Sequence, residues 1–360
     1  MINIDEVIST PSLERDVGIQ KEERGFGLYE MQGLRPTQED AAMARWYSAH
    51  VFAALSAQEI GRRLWTTYKL LNQHCCRPNF AGSTASTTVY NGQDELITAT
   101  LGDAVAFAVV YLPNGQVHAV TRLNKVIHHP DDDKERFAKA GGVIVAGRAQ
   151  GLNGSLALSR ALGDYEYSKL GVCDDAHIDI TNIHDLASEA IGKIQIITTC
   201  DGFTDPASKQ TKAGHEQWLL QCLQAMQNPG NLPEVKLANL LALNAFNANS
   251  QDNISVLVQT VLKDQAFLIG VYDGHGGTQT SSYVAGHIGM VFEQQCALSP
   301  QEYAKQRLSA DRYFEIYYRD NKDESFYQHM SAEKEEHTTE LPKSGGIGER
   351  LKRLFHKKMN

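Results

Sequence analysis

Carboxylates recur at the ends of apolar runs in this sequence. Asp273 follows Ala266–Tyr272 and precedes Gly274-His275-Gly276-Gly277. Asp201 follows Ile194–Cys200 and precedes Gly202. Asp252 stands before Asn253 and the run Ile254–Val258. Glu39 and Asp40 follow a strand-like stretch at 24–34, and Asp103 follows Leu101-Gly102. Each site puts a carboxylate at the end of an expected buried strand, often with a glycine that lets the backbone approach a ligand closely. One Asp-Gly pair alone also marks an ordinary turn; the recurrence is what points to a site. Desolvated carboxylates brought together repel one another unless a cation joins them. Hard oxygen ligands without histidine or cysteine companions favour Mg²⁺ or Mn²⁺.

The elements that must position these residues read as strands with a few helices. Ser83–Leu101 and Ala104–Leu123 read as hairpins, turning at Asn91-Gly92 and Pro113-Asn114-Gly115. Ser56 with Glu59 forms a capping box ahead of Ile60, Leu64, Tyr68 and Leu71 on one helical face. Further helices are expected at 131–140, from Pro233, and at 278–297. Runs at 194–199, 254–262 and 266–272 read as buried strands. The last two flank a short polar link at Lys263-Asp264-Gln265, which is hairpin spacing. Asp252 and Asp273 are nearly equidistant from that link. An antiparallel pairing of these strands would bring them face to face.

Length and charge bound the rest. A chain of 360 residues has a length prior of about two domains. Its formal net charge of −9 argues against nucleic acid as the main partner. No stretch is apolar enough to cross a membrane, and the first residues do not read as a signal peptide. The six cysteines show no C-x-x-C pair, which suits reduced thiols and a cytoplasmic setting. Residues 1–23 read as an N-terminal arm, 24–330 as one domain, and 331–360 as a polar tail with a basic end.

The acidic motifs resemble those of the PPM family, the type 2C metal-dependent serine/threonine protein phosphatases. Gly33-Leu34-Arg35-Pro36-Thr37-Gln38-Glu39-Asp40 resembles the family's first motif, and Asp273-Gly274-His275-Gly276-Gly277 its signature. Gly82-Ser83-Thr84-Ala85, Leu156–Asp164, Cys200–Asp205 and Gln251–Ser255 resemble further blocks. The resemblance implies an α+β fold: a four-layer α-β-β-α sandwich of two mostly antiparallel sheets flanked by helices. It also implies hydrolysis of phosphoserine and phosphothreonine in proteins by a metal-bound water at a dinuclear Mg²⁺ or Mn²⁺ site. Glu39, Asp252, Asp273 and the Gly274 carbonyl correspond to ligands of the two ions, and Asp201 to another. Asp103, Asp201 and Asp205 correspond to a third site found in many members. Arg35 corresponds to the phosphate-binding arginine, His275 to the general acid, and Asp40 to a residue that helps hold the metal-bound water. An inactive binding module on the same fold, or a hydrolase of small phosphoesters, are the alternatives.

Two departures from the family pattern stand out. The signature follows the Asp252-Asn253 motif here, whereas the family places it directly after the first motif; a strand–helix segment at 263–297 reads as transposed. Gly102-Asp103 is followed by Ala104-Val105, where the family usually has serine and arginine. Other conspicuous residues read as structural. His128-His129-Pro130 reads as loop, Arg160 as a buried ion-pair or hydrogen-bonding residue, and Cys200 as a buried strand residue. The aromatics from Tyr313 to Tyr327 read as packing. The protein reads as a monomer. Its basic end could touch an anionic membrane surface, and the Glu-rich stretch at 333–340 loosely resembles secretion signals of bacterial effectors delivered to host cells.

Overall fold

The computed structural model describes residues 19–307 apart from 24, 78–80, 153 and 187–190. The aromatic run after 307 and the tail at 331–360 therefore lie outside the described residues. Two antiparallel sheets form the centre. The six-stranded sheet has the order β1-β2-β14-β13-β7-β8. Its strands are β1 (Ile19–Glu23), β2 (Phe26–Met31), β14 (Ile254–Thr260), β13 (Lys193–Thr199), β7 (Val105–Tyr111) and β8 (Val117–Arg122). The five-stranded sheet has the order β12-β6-β5-β15-β3. These are β12 (His177–Asn182), β6 (Glu95–Leu101), β5 (Ala85–Tyr90), β15 (Gln265–Tyr272) and β3 (Ala41–Ser48). Residues 19–23, expected in the N-terminal arm, form the edge strand β1 against β2.

The strand sequences explain the layering. In β7, Ala106, Ala108 and Val110 face the other sheet and pack with Phe267, Ile269 and Val271 of β15. Val105, Phe107, Val109 and Tyr111 face outward and are also buried, under a layer of helices. Period-two alternation with both faces apolar gives the continuous hydrophobic run of a strand covered on both sides. Leu219 and Leu223 of α5 (Lys212–Gln224), and Leu237 and Leu241 of α6 (Glu234–Asn247), cover the six-stranded sheet. Helices α1 (Ala57–Cys75) and α7 (Gln279–Ala297) pack on each other and on the outer face of the five-stranded sheet. The α+β, four-layer expectation holds. The capping box at Ser56 and Glu59 is present and starts α1.

Several small elements complete the frame. Helix α2 (Lys134–Ala140) ends on Gly141 in the left-handed region at φ 78°. A small sheet of β9 (Val143–Val145), β10 (Arg148–Gln150) and β11 (Ser155–Leu156) follows it. Helices α3 (Tyr165–Ser168) and α4 (Asp201–Thr204) are single turns, and β4 (Gly82–Ser83) pairs with β16 (Gly274–His275).

One expectation is corrected. Strands β14 and β15 do not form a hairpin. β14 pairs with β13 and β2, while β15 pairs with β5 and β3. The link at 261–264 carries the chain from one sheet to the other. Both strands are buried on both faces, so each needs partners at both edges, and each finds them within its own sheet. Asp252 and Asp273 still return to one end of the sandwich, because the two strands run in opposite directions in facing layers.

Candidate active site

The ends of the sheets converge on a cavity of about 240 Å³. Arg35, Glu39, Asp103, Asp201, Asp252, Asp273, Gly274 and His275 all line it. Their positions in sequence are far apart, and five loops bring them in: 32–40 after β2, 102–103 between β6 and β7, the start of α4, the residues before β14, and the residues after β15.

Asn253 locks two of these loops together. Its Nδ2 donates to the carbonyls of Gln32 (2.7 Å) and Thr37 (2.9 Å), and its Oδ1 accepts from the Glu39 N–H (2.9 Å). Asp252 Oδ2 pairs with the Arg35 guanidinium. Ser281 Oγ of α7 donates to the Glu39 carbonyl (2.5 Å), tying the segment after β15 to the same loop. A side chain at Gly274 would overlap that carbonyl oxygen, so the close approach requires glycine.

The carboxylates crowd one another. Burial, then the charges of Asp201 and Asp40, push Asp273 well above the usual carboxylate range. Burial and the Asp201 charge raise Asp103 to about 8, with Asp205 adding to the effect. Burial raises Asp40 to about 7, against a hydrogen bond from Ser255 Oγ at 2.8 Å. Among the described residues, Asp40 Oδ1 and Asp201 Oδ1 are buried with no hydrogen-bond partner. Ligand atoms of Asp40, Cys200 and Asp273 lie within 4.8 Å of one another. Orphaned, mutually repelling oxygens on rigid loops fit hard divalent cations.

Residues 64–254, just over half of the chain, match the protein phosphatase 2C family model. The chain belongs to the protein phosphatase 2C family. It is 32% identical over 192 residues to probable protein phosphatase 2C 59 of Arabidopsis thaliana, covering 53% of each chain. It is 28% identical over 273 residues to human protein phosphatase 1E, covering 73% of this chain and 32% of that protein. The chain thus spans about half or less of the length of these curated relatives. A phosphatase structure from Toxoplasma gondii aligns with a TM-score of 0.46 at 18% identity, over 71% of this chain and 98% of that one.

The residues expected from the 2C resemblance divide into wall and surroundings. Arg35, Glu39, Asp103, Asp201, Asp252, Asp273, Gly274 and His275 stand on the cavity wall. Asp40 lies buried behind Asp273, and Asp205 is exposed beside the cavity rather than on its wall. The structural readings also hold. His128 is buried and accepts from the Gly102 N–H, His129 caps the turn at Pro130–Asp133, and Arg160 pairs with Asp175.

Three neighbours were not anticipated. Cys200 joins the carboxylate cluster, because β13 ends one residue before it and the chain turns into α4 there. Burial pushes its thiol well above the ordinary range, so it stays protonated; it donates to the Asn253 carbonyl at 3.3 Å. The second is Asp164, buried at the end of the block Leu156–Asp164. His275 Nε2 donates to its Oδ2 at 2.8 Å. Burial alone would lower the imidazole pKa, but the charge and hydrogen bond of Asp164 outweigh it and the net shift is upward. Gly82 makes this contact possible, since a Cβ there would overlap both partners. The third is Arg148 of β10, also on the cavity wall. A block ending in an aspartate was the only sequence signal for Asp164; Arg148 carried none.

Proposed function

We propose that this chain hydrolyses phosphoserine and phosphothreonine in proteins, at a site that holds two Mg²⁺ or Mn²⁺ ions. The observation that carries the reading is the wall of converging carboxylates with orphaned oxygens beside two arginines, Arg35 and Arg148, and one histidine. Glu39, Asp252, Asp273 and the Gly274 carbonyl would hold the pair, with Asp201 completing it. Asp103, Asp201 and Asp205 would hold a third ion. When bound, the ions neutralise a phosphate dianion and activate the attacking water at neutral pH. Arg35 presents a guanidinium fork to the phosphoryl oxygens. Asp40, set by Ser255, orients the water. His275 donates a proton to the departing alkoxide, which is a poor leaving group without one. Asp164 holds the imidazole ring in place.

The same reading treats 263–297 as a relocated strand–helix segment. Support comes from β15, which lies between β5 and β3 although its sequence follows β14. We further propose a monomeric cytoplasmic enzyme acting on phosphoproteins, with delivery of an effector into a host cell as the alternative. The acidic charge sets nucleic acid aside. The basic tail is proposed to be solvated, with anionic membrane as its minor contact.

An aryl phosphate and a phosphothreonine peptide, each assayed with Mn²⁺ and then with chelator, test the activity. Turnover of both that chelator abolishes is expected. No metal-dependent turnover would leave the inactive-module reading; turnover of the aryl phosphate alone would make the protein a small-ester hydrolase.

A further inference from the structure

Residues 102–104 join β6 to β7 and put Asp103 on the cavity wall. Gly102 stands in the left-handed region at φ 82°, where glycine turns freely. Thr84 closes one side of it, since a Cβ on Gly102 would overlap the Thr84 side chain. Ala104 and Val105 have no polar side chain with which to hold the turn. The hold comes from further along the chain. The β7–β8 hairpin brings the chain back, with the Leu123 N–H donating to the Ala106 carbonyl at 2.8 Å, and His128 then arrives beside Gly102.

His128 fixes both peptide planes of Gly102. Its N–H donates to the Gly102 carbonyl at 2.9 Å, and its Nδ1 accepts from the Gly102 N–H at 3.2 Å. The first bond sets the plane that ends in the Asp103 N–H, and the Asp103 carboxylate interacts with that same N–H. The second sets the plane between Leu101 and Gly102. The His128 carbonyl accepts from the Ser159 N–H at 3.1 Å, which anchors it to the block Leu156–Asp164. His128 is buried. Burial, then the charge of Arg160, hold its imidazole well below the ordinary histidine range, so Nδ1 stays free to accept and Nε2 carries the proton. Two of these three bonds involve only backbone atoms and survive any substitution. The side chain contributes one acceptor; without it a buried N–H beside Asp103 loses its partner.

We infer that His128 is a positioning residue: its Nδ1, acting through the Gly102 N–H, aims the Asp103 carboxylate into the cavity and sets how tightly the third ion is held. The inference rests on the three-ion reading above and adds to it the side chain that fixes one ligand. The other two carboxylates proposed for that ion need no such help. Asp201 opens the helical turn α4, and the Asp205 N–H donates to the Asp201 carbonyl at 2.7 Å, so one local hydrogen bond ties both. Asp103 follows a glycine turn and depends on a group 25 residues away in sequence.

Calorimetric titration of the resting protein with Mn²⁺ tests this. Asp103→Asn identifies the phase of the titration that belongs to Asp103. His128→Gln, whose amide reaches the place of Nε2 rather than Nδ1, should weaken that phase by about 10-fold or more, the usual cost of losing a group that orients a ligand. His128→Asn, whose Oδ1 stands where Nδ1 stood, should titrate like the unmodified protein. Adding His128→Gln to Asp103→Asn should change nothing further in the titration. His128→Leu has the shape of Asn without the acceptor and replaces His128→Gln if that variant does not fold. An unchanged titration in His128→Gln would overturn the inference. So would equal losses in the Asn and Gln variants, a further loss of Mn²⁺ binding on adding His128→Gln to Asp103→Asn, or failure of both Gln and Leu variants to fold, each of which would make His128 a residue of the fold alone. An unchanged titration in Asp103→Asn would instead overturn the three-ion reading on which the inference rests.

Discussion

Asp273 is the residue on which the proposed site depends most. It stands between Asp201, Asp40 and Asp103, and each raises its proton affinity. Asp273→Asn should therefore abolish divalent binding and turnover together, with turnover falling by more than about 100-fold. Calorimetric titration with Mn²⁺ alongside an aryl phosphate assay checks this; full activity in the variant would refute the proposed ligand set. Asp164 acts one step further out. Its backbone lies in the left-handed region at φ 50°, which asparagine tolerates well. Asp164→Asn should keep the fold and loosen His275. Turnover of a phosphothreonine peptide is expected to drop about 10-fold or more, with a much smaller loss on an aryl phosphate, whose leaving group needs little proton help. Equal losses on both substrates would mean that Asp164 does not work through His275. Asp103, Asp201, Asp252 and Asp273 were legible as candidate site residues because each sits beside a glycine or an asparagine at the end of an apolar run. Asp164 and Arg148 were not, because their importance comes from what they face across the cavity.

At the scale of elements, β15 is the informative strand. It fills the gap between β5 and β3 and carries Asp273 at its end. Ser48, the last residue of β3, is directly opposite Gln265, the first of β15. A short turn could join them, and α7 already packs on α1. A re-ordered chain with 263–297 inserted after Ser48 should then reach the same fold. Cooperative melting and retained Mn²⁺ binding are the expected results; a product that neither melts cooperatively nor binds metal would count against the relocated-segment reading. Local signals located most elements. The capping box set the start of α1, and Gly115, at φ 83°, turns the β7–β8 hairpin. Ala41–Ser48, which follows the Glu39-Asp40 loop directly, supplies β3 at the sheet edge.

For the whole molecule, the net charge of −9 matters through where the acids lie. Burial raises Asp40 to about 7 and Asp103 to about 8 in the folded chain, against an unfolded value near ~3.9. Between about pH 4 and pH 8 the unfolded chain has released these protons while the folded chain keeps them. The unfolded state then binds fewer protons, so stability falls as pH rises through that window. The metal-free protein should melt at a lower temperature at pH 8 than at pH 5. Mn²⁺, which replaces the protons as counter-charge, should raise the melting temperature more at pH 8 than at pH 5. Calorimetric melts at the two pH values with and without Mn²⁺ check both signs; a larger metal effect at pH 5 would contradict the cation-site reading.

By itself, the sequence determined the period of each strand, the caps and turns, the double burial of the central strands, and the identities of most site residues. These are local properties, set by side-chain alternation and backbone preference within a few positions. Only the tertiary structure decided which strands pair. Strands β14 and β15 lie close in sequence and are both apolar throughout, so nothing local distinguishes a hairpin from a crossover between sheets. The crossover prevails because each strand finds two partners in its own sheet. That choice then brings Asp252 and Asp273 to one rim, sets Cys200 among the carboxylates, puts Asp164 behind His275, and turns Arg148 toward the cavity.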